Sequence, residues 1–404
     1  MKIKSLTIQD FRGISDVHIT EFNKNLNLLI GINGSGKSSI LDSIALLLTS
    51  FTSRLTTSNS KGQMIPVSDI KRESRKGCTL SITMDNEVYW NKHRTRSMDK
   101  KEESDYSSLN EYTKEFRMRL DNMEKICLPI IVHYGVKRTI TDIPLKFPTE
   151  NNVLATAAYK DWIDSKASYR DIFPWIRGEE DYENEIRIDD PNARDRGLEA
   201  LREAMHKIFP EYENLRVKRR PHLEVVLKKK GEELPLSQLS DGEKCYIALV
   251  CDIVRRLSLA NPTGDILNGE GIVLIDEIDL HLHPSWEQTV MEKLHYTFPN
   301  IQFIVSAHSP LVASHFDGQV FAVNNGTVTP LPRLFGLDYS TILQDWMGTT
   351  PSNKKLNSML ELYNAYKENN MEEQADQVWQ KIVDVFDGDI NVPFIQNLHS
   401  FLIP

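Results

Sequence analysis

The chain has 404 residues, is 40% hydrophobic and 26% charged, and is long enough for two or three folded domains. It contains no apolar run approaching the ~18 residues of a transmembrane helix. Its net charge of −9 argues against wholesale coating of DNA, although a local basic groove stays possible. The four cysteines form no C-x-x-C pair and have apolar neighbours. This favours buried free thiols in a reducing compartment, and we expect a cytoplasmic protein without a membrane partner.

The first predicted elements are strands followed by a glycine-rich loop. Alternation of apolar and polar residues through Met1–Phe22 predicts two strands, and the apolar run Leu26–Ile30 predicts a buried third one. The loop Gly31–Ser39 comes next, and apolar residues at helical spacing up to Leu48 predict a helix behind it. Phe51–Lys61 is rich in serine and threonine, so we expect a loop there.

The glycine-rich loop reads G-I-N-G-S-G-K-S-S and fits G-x-x-x-x-G-K-[ST], the pattern of a phosphate-binding P-loop. Its glycines allow a tight turn in which successive N–H groups point at a phosphate. Lys37 can reach the β- and γ-phosphates, and the Ser38 hydroxyl can bind Mg²⁺. The order strand, loop, helix places a helix N-terminus at the phosphate. The predicted nucleotide-binding residues are Asn33, Gly34, Ser35, Gly36, Lys37, Ser38 and Ser39.

The middle of the chain is predicted to be mainly helical. Cys78–Trp90 predicts a hairpin and Tyr106–Ile126 a helix, and the apolar Leu128–Tyr134 predicts another buried strand. Ala155–Phe209 has two apolar faces at helical spacing and is predicted to be a helical insertion. The acidic, polar Gly178–Arg196 is expected to separate these two faces.

The remainder is predicted to alternate between strands and helices. Leu215–Leu234 predicts a hairpin with its turn at Lys228–Gly231. The later elements are a helix at Asp241–Leu259, a strand at Gly271–Ile275, a helix at Ser285–Thr297, strands at Ile301–Ser306, Val320–Val323 and Thr327–Leu331, and a helical tail from Tyr339.

Two carboxylates, Asp276 and Glu277, follow the very apolar strand G-I-V-L-I. Because successive side chains of a strand point in opposite directions, Asp276 can face Mg²⁺ while Glu277 addresses the attacking water. The predicted roles are metal ligand and general base. The alternative is an ordinary Asp-Glu helix start.

Two further segments could reach a phosphate. L-S-D-G-E-K stands just before a helix, so Ser240 and the Gly242 backbone could hold an anion there. The alternative is a capping box, with Ser240 as the N-cap and Glu243 at the third helical position. I-Q-F-I-V-S-A-H-S-P is a strand that leads to His308, which could lie near a γ-phosphate or be purely structural.

Together these motifs resemble the ATP-binding-cassette ATPases of the SMC, Rad50, RecF and OLD group. The resemblance implies an α/β P-loop ATPase head with mixed sheets, a helical insertion and a helical C-terminal tail, and ATP and Mg²⁺ as cofactors. Asp279 corresponds to the D-loop residue and Arg12 to an arginine near the nucleotide. The Q-loop glutamine is open between Gln63 and the region after His133. The implied domains are an N-terminal lobe at 1–154, the insertion at 155–210, a C-terminal lobe at 211–332 and a tail at 333–404.

The resemblance also implies a head-to-tail homodimer or a higher even oligomer. Each ATP would be bound by Lys37, Ser38 and Asp276 of one subunit and by Ser240 and Gly242 of another. Glu277 would drive the hydrolysis that releases the dimer. Two half-sites bury the γ-phosphate charge only when they are joined, and this chain carries one set of motifs.

Three features indicate which members of this ATPase group the chain resembles most. The insertion is too short for a long coiled coil, and about 70 residues after the last strand are too few for a fused nuclease domain. The segments Glu277–Pro284, Ala307–Pro310 and Leu334–Met347 resemble Septu-type anti-phage ATPases, including relatives encoded beside retron reverse transcriptases. This resemblance implies an HNH nuclease partner that the helical tail could dock. The resemblance to the retron relatives implies two further partners, a reverse transcriptase and its RNA–DNA product.

Two alternative functions and one possible ligand stay open. The chain could be a RecF-like DNA repair ATPase, or a nucleotide-gated scaffold with little turnover. DNA is a further candidate partner, because basic residues cluster in four short segments. These are Lys71–Lys76, Lys92–Arg96, Arg216–Arg220 and Lys228–Lys230. Each cluster is either a solvated loop or part of a nucleic-acid groove.

Overall fold

The structure is a computed structural model that describes residues 1–96, 103–136, 155–163, 165–348 and 354–385. The strands are β1 (Ile3–Phe11), β2 (Ile14–Ile19), β3 (Leu26–Ile30), β4 (Gly77–Met84), β5 (Tyr89–Thr95), β6 (Ile130–Tyr134), β7 (Tyr212–Lys218), β8 (Glu224–Lys229), β9 (Glu232–Pro235), β10 (Gly271–Ile275), β11 (Ile301–Ser306), β12 (Gln319–Asn324) and β13 (Thr327–Leu331). The helices are α1 (Lys37–Thr56), α2 (Ser107–Asp121), α3 (Ser165–Asp189), α4 (Arg196–Ile208), α5 (Asp241–Ala260), α6 (Pro284–Glu287), α7 (Val290–Thr297), α8 (Pro310–Ser314), α9 (Tyr339–Asp345), α10 (Lys354–Glu368) and α11 (Glu372–Asp384).

A six-stranded sheet forms the centre of the fold, with strand order β13-β12-β3-β11-β10-β6. Its five strands from β12 to β6 are parallel, and β13 is added antiparallel at one edge. Every residue of β3, β6, β10 and β11 is buried, as expected for parallel strands that are covered on both faces. Because these strands are parallel, the segments that follow β3, β11 and β10 all leave the sheet at the same edge.

Two further sheets complete the α/β fold. An antiparallel sheet has the order β2-β1-β4-β5, and a second one has the order β7-β8-β9. The predicted α/β class with mixed sheets is confirmed. None of the helices within the described ranges is long and apolar enough to cross a membrane. Of the cysteines, Cys127 is exposed and the other three are buried, so the expectation of burial is wrong for Cys127.

The helix after the P-loop is longer than predicted. The expected loop at Phe51–Lys61 is wrong over its first half, because α1 continues to Thr56. Phe51 and Leu55 are buried, which keeps the chain on the helix path. The hydroxyl groups of Thr52 and Ser53 donate to carbonyl oxygens one turn earlier, at 3.3 and 3.4 Å, so serine and threonine are accommodated within the helix.

The polar separator predicted at Gly178–Arg196 is largely helical, since α3 runs on to Asp189. Its charged side chains have partners on neighbouring elements. Glu183 accepts two hydrogen bonds from Arg202 of α4 at 2.8 and 2.9 Å, and Glu180 accepts one from Arg219 at 3.1 Å. A charged stretch can therefore continue a helix when its carboxylates are paired across the fold.

Two predicted elements are divided in the structure. The predicted turn near Lys230 joins β8 to β9, but the first part of the predicted hairpin belongs to β7. The helix predicted at Ser285–Thr297 is two helices, α6 and α7, which are separated at Gln288 and Thr289.

The chain divides into two compact units, Met1–Ile342 and Leu343–Pro404. In the second unit, α10 and α11 pack against each other through a small apolar core. This core contains Tyr363, Ala375, Val378 and Ile382, with Leu356, Met359, Leu360, Tyr366 and Trp379 packed around it. The predicted tail beyond residue 385 lies outside the described residues.

Candidate functional site

The P-loop connects the end of β3 to the start of α1. Gly31 and Gly36 have φ angles of 150° and 114°, which side-chain-bearing residues rarely adopt. A Cβ atom on Gly31 would lie 2.2 Å from the carbonyl oxygen of Val323, so the end of β12 and the turn after it pack directly against the loop. The amide of Gly326 in that turn donates to the Ser35 carbonyl oxygen at 3.1 Å. The loop is therefore supported on the side opposite its exposed residues, which include Asn33 and Ser38.

Lys37 folds back over the loop. Its Nζ donates to the carbonyl oxygens of Gly31 and Ile32 at 2.8 and 3.1 Å, and the residue is only 5% exposed. Burial lowers the pKa of Lys37 from its ordinary value, and the carboxylates of Asp276 and Glu277 oppose this shift. The ammonium group thus lies within electrostatic reach of both carboxylates, as the predicted phosphate site requires.

Asp276 and Glu277 follow the end of β10 and have different partners. The Asp276 amide donates to the Tyr134 carbonyl oxygen at 2.8 Å, and its side chain accepts from Ser306 Oγ at 2.5 Å. Glu277 has a left-handed backbone with φ of 52°, and its amide donates to the same Ser306 Oγ at 2.7 Å. Because β10 ends at Ile275, Asp276 and Glu277 lie in the turn that follows the strand. The strand alternation assumed from the sequence therefore does not apply to them.

His308 and Asp279 join the same edge of the sheet. His308 Nε2 lies 3.5 Å from Glu277 Oε1, and the His308 amide donates to Asp279 Oδ2 at 3.0 Å. Asp279 Oδ1 is buried and has no hydrogen-bond partner among the described residues. The structure therefore brings together the P-loop lysine, three carboxylates and a histidine from segments that are far apart in the chain.

Ser240 is the N-cap of α5 and forms the capping box expected as the alternative to an anion site. The Glu243 amide donates to Ser240 Oγ at 3.3 Å, and the Glu243 carboxylate accepts from the Ser240 amide at 2.8 Å. A Cβ atom on Gly242 would lie 1.9 Å from the carbonyl oxygen of His281, so only glycine permits this approach. The start of α5 therefore packs against the chain that follows Asp279, and a role of Ser240 and Gly242 at a phosphate stays a prediction.

Glu243 is surrounded by donors. Besides Ser240, it accepts from Lys229 Nζ at 2.7 Å and from the Tyr212 hydroxyl. Burial opposes its ionisation, but these donors hold the pKa of Glu243 at about 2. A cleft of ≈ 550 Å³ opens here, lined in part by Ser240, Tyr212 and Trp286.

Arg12 bonds a residue of α1 that lies one helical turn beyond the P-loop. Its guanidinium bonds Asp42 of α1 and donates to Asp69 Oδ2 at 3.1 Å. Asp42 comes one turn after Ser38 on the same helix. The structure thus supports the placement of Arg12 near the loop, while its contact with a nucleotide stays a prediction.

The candidates for the Q-loop occupy different places. The Gln63 amide donates to Thr49 Oγ1 at 3.0 Å. Thr49 lies about 18 Å along α1 from the P-loop, at 1.5 Å per residue. The end of β6 instead lies beside Asp276, because the Tyr134 carbonyl accepts the Asp276 amide. The continuation of that segment at 137–154 lies outside the described residues, and the Q-loop stays unassigned.

A buried ionic network escaped the sequence analysis. Asp252 of α5 accepts from the Tyr134 hydroxyl of β6 at 2.8 Å and from Arg255 and Arg256, each at 2.7 Å. Burial disfavours the Asp252 carboxylate, yet the two guanidinium groups hold its pKa below the ordinary value. An aspartate followed by arginines three and four positions later, within an otherwise apolar helix, was the available signal. This network ties the middle of α5 to the strand beside β10.

Ser306 and His133 were also missed near the site. Ser306 ends β11, two positions before His308, and is fully buried. His133 Nδ1 lies 3.9 Å from Asp42 Oδ1, and burial lowers the pKa of His133. Each is a polar residue within or at the end of an apolar strand. Its burial indicates a polar partner, but the strand pattern alone does not identify that partner.

Part of the basic surface is neutralised within the chain. Arg216 and Lys218 each pair with Glu233 at 2.6 Å, and Arg219 pairs with Glu180 at 3.1 Å. Lys92 is buried, and its Nζ donates to the Gln63 carbonyl oxygen at 2.6 Å. Nucleic-acid binding by these segments stays a prediction.

The donor set fits Mg²⁺ held together with a nucleotide. The described residues contain no group of three or more His, Cys, Asp or Glu side chains that could hold a metal ion alone. Mg²⁺ is usually bound by one or two protein oxygens together with substrate phosphates and waters. The Ser38 hydroxyl and the Asp276 carboxylate are oxygen ligands of this kind.

Residues 26–314 match the family model described as "AAA domain, putative AbiEii toxin, Type IV TA system". The chain is 30% identical over 379 residues to "Retron Vc95 probable ATPase" of Vibrio cholerae serotype O1 biovar El Tor, covering 80% of this chain and 74% of that protein. It is 27% identical over 325 residues to "Septu protein PtuA" of Bacillus mycoides, covering 79% of this chain and 40% of that protein. Among solved structures, the SMC head domain from Thermotoga maritima is 17% identical with a TM-score of 0.43, covering 82% of this chain and 100% of that one. The predicted resemblance to retron and Septu ATPases is confirmed.

Proposed function

The chain is an ATPase that belongs to this AAA-domain family, and on that premise we propose that it is the ATP-switched subunit of an anti-phage defence complex. In this proposal two copies pair head to tail around ATP and control a partner HNH nuclease. The names of the retron and Septu relatives support the defence role.

The convergence of Lys37, Asp276, Glu277 and His308 at one edge of the central sheet carries the proposal. Glu277 and His308 lie 3.5 Å apart, and Lys37 interacts electrostatically with both carboxylates. A catalytic base and a phosphate-binding lysine are recurring parts of sites for phosphoryl transfer.

We assign one role to each residue at this edge. Lys37 and the P-loop amides bind the β- and γ-phosphates of ATP, and Ser38 with Asp276 would hold Mg²⁺. The ion would offset negative charge on the phosphate oxygens. Glu277 accepts the proton of the attacking water, and His308 donates a hydrogen bond on the γ-phosphate side. Asp279 holds the His308 backbone through the 3.0 Å hydrogen bond.

A second copy would supply Ser240 and Gly242 to the same ATP. The chain carries one P-loop and one such helix start, and the cleft beside Ser240 leaves this helix start open to a ligand. Ser240 Oγ now donates to Glu243 Oε2 at 2.8 Å, so it must exchange this partner to donate to a phosphate. ATP would thus close a dimer, and hydrolysis would open it.

The partners follow from the family resemblance. We propose an HNH nuclease as the effector, and a reverse transcriptase with its RNA–DNA product if the protein acts beside a retron. The α10–α11 hairpin, within the proposed tail at 333–404, is the candidate docking element.

Replacing the base tests the proposal. We expect Glu277→Gln to reduce ATP hydrolysis about 100-fold or more and to accumulate an ATP-bound dimer, because binding is kept while proton acceptance is lost. Light scattering after size exclusion, with and without ATP, measures the dimer. Glu292→Gln on the exposed face of α7 is the matched control. Unchanged ATP turnover in Glu277→Gln would contradict the assignment of the base.

Purification of the tagged chain from its native host tests the partner. We expect an HNH nuclease to be recovered with it, and mass spectrometry with nuclease digestion identifies the protein and any RNA–DNA. Recovery with replication and repair factors, together with DNA-stimulated ATP hydrolysis, would instead favour the RecF-like function. ATP-dependent assembly without turnover would favour the scaffold.

A further inference from the structure

We propose that Ser306 is a positioning residue that orients both carboxylates of the ATPase site through a single hydroxyl group. The inference rests on the proposed roles of Asp276 and Glu277. Ser306 is the last residue of β11, the strand between β3 and β10, and it is completely buried.

The Ser306 hydroxyl makes two hydrogen bonds of opposite sense. It donates to Asp276 Oδ1 at 2.5 Å and accepts from the Glu277 amide at 2.7 Å. A hydroxyl has one proton to donate and two lone pairs, so both bonds form at once. The bond to the carboxylate is charge-assisted and short, which restricts rotation of the Asp276 carboxyl group.

The backbone of Ser306 adds a third contact to the same turn. Its carbonyl oxygen accepts from the Ile278 amide at 2.9 Å. One residue of β11 therefore contacts three consecutive residues after β10: the Asp276 side chain, the Glu277 amide and the Ile278 amide. This support is not local in the chain, since Asp276 and Ser306 are 30 positions apart in sequence.

The Glu277 backbone explains why such support is required. A φ of 52° is unfavourable for a residue with a side chain, and it persists only where the surroundings hold it. The Ser306 hydroxyl binds the amide of this very residue. Loss of the hydroxyl would let the turn relax, which would move the Glu277 carboxylate and remove one hydrogen bond that orients the Asp276 carboxyl group.

The test compares Ser306→Ala with Ser306→Thr, which keeps the hydroxyl. In nucleotide-free Ser306→Ala we expect amide hydrogen exchange of the peptide containing Glu277 and Ile278 to accelerate about tenfold or more. We expect the Mg²⁺ concentration for half-maximal ATP hydrolysis to rise and kcat to fall, each by about 10- to 100-fold, as for residues that support metal ligands. The KM for ATP should change little, because Lys37 is untouched.

Ser43→Ala is the matched control. Ser43 is also fully buried, but its hydroxyl donates only to the Ile40 carbonyl oxygen of its own helix, at 2.7 Å. Thermal unfolding of each variant shows whether it is folded. A purely structural Ser306 would lower the unfolding temperature without altering the Mg²⁺ dependence, and that result would overturn the inference. Wild-type exchange at Glu277 in Ser306→Ala would also overturn it.

Asp276→Asn and Glu277→Gln, measured in parallel, separate this inference from the proposed function. If both lose activity while Ser306→Ala keeps the wild-type Mg²⁺ dependence and exchange, only the positioning role is wrong. If both hydrolyse ATP like the wild type, the proposed roles of the carboxylates are wrong, and so is an inference that rests on them.

Discussion

The edge of the central sheet that carries Asp276 and Glu277, here called the nucleotide edge, and the start of α5 both have polar residues. The two regions differ in the partners of their hydrogen bonds. At the sheet edge, the Asp276 amide bonds the backbone of β6, and the Ser306 hydroxyl bonds the Asp276 carboxylate and the Glu277 amide. At the start of α5, the Glu243 carboxylate accepts from Ser240, Lys229 and Tyr212 within the same chain. We therefore expect a ligand to bind the first region without displacing these bonds, whereas a ligand at the second must compete with an existing network.

The two regions are physically joined by the Asp252 network. Asp252 lies on α5, downstream of the Ser240 cap, and bonds the Tyr134 hydroxyl. The carbonyl oxygen of the same tyrosine accepts the Asp276 amide. Tyr134 of β6 therefore forms a hydrogen-bonded path from α5 to the Asp276 amide.

Removing the P-loop ammonium group should have the largest effect on the nucleotide edge. We expect Lys37→Ala to reduce ATP hydrolysis to about 1% of wild type or less, since the positive charge that faces the phosphates is lost. Steady-state phosphate release measures the rate. The control is Lys24→Ala, at an exposed position before β3. Equal loss in both variants would show that Lys37 has no specific role at the phosphates.

Removing the Asp252 carboxylate, which links α5 to β6, should chiefly lower the free energy of unfolding. In Asp252→Asn the guanidinium groups of Arg255 and Arg256 stay buried without their carboxylate, so we expect unfolding to become easier by about 3–5 kcal/mol. Chemical denaturation measures this change. Asp241→Asn, on the same helix but with its side chain 70% exposed and paired with Lys244, should cost less than about 1 kcal/mol. Similar costs for the two variants would contradict the role of burial.

The smallest expected effect is at the α5 start. Glu243→Gln should lower stability at pH 7 by about 1 kcal/mol, because the partly exposed ion pair with Lys229 is lost, while the glutamine side-chain oxygen can still accept from the Ser240 amide. The pKa of Glu243 is lowered from 4.5 to about 2, so its carboxylate stabilises the fold above pH 4.5. That contribution disappears as the pH falls towards 2, and the difference between variant and wild type should shrink there. Denaturation series at several pH values measure it, with the exposed Glu232→Gln as control. A penalty that does not change with pH would show that the ionised carboxylate is not its cause.

Much of the fold was accessible from the sequence because its signals are local. The predicted strand bounds at Gly271–Ile275, Ile301–Ser306 and Thr327–Leu331 agree with the structure, and the first two are the short apolar runs typical of buried parallel strands. The continuation of α1 through Phe51–Thr56 was not predicted, because composition there suggests a loop, and no helix bounds were predicted within the charged Gly178–Arg196, where α3 continues to Asp189. In both places, distant side chains provide the burial or the charge partners that make a helix favourable.

The sequence by itself determined the candidate residues for the chemistry, and their roles stay predictions. Lys37, Asp276 and Glu277 stand in short contiguous motifs, where spacing alone indicates phosphate binding and catalysis. Only the tertiary structure decided how these residues are held. The Ser306 hydroxyl, which bonds the Asp276 carboxylate and the amide of the left-handed Glu277, depends on β10 and β11 being neighbours. The Asp252 bond to Tyr134 depends on the packing of α5 against β6. Strand order brings together residues 30 positions apart and helix packing brings together residues 118 positions apart, and no local pattern records such hydrogen bonds.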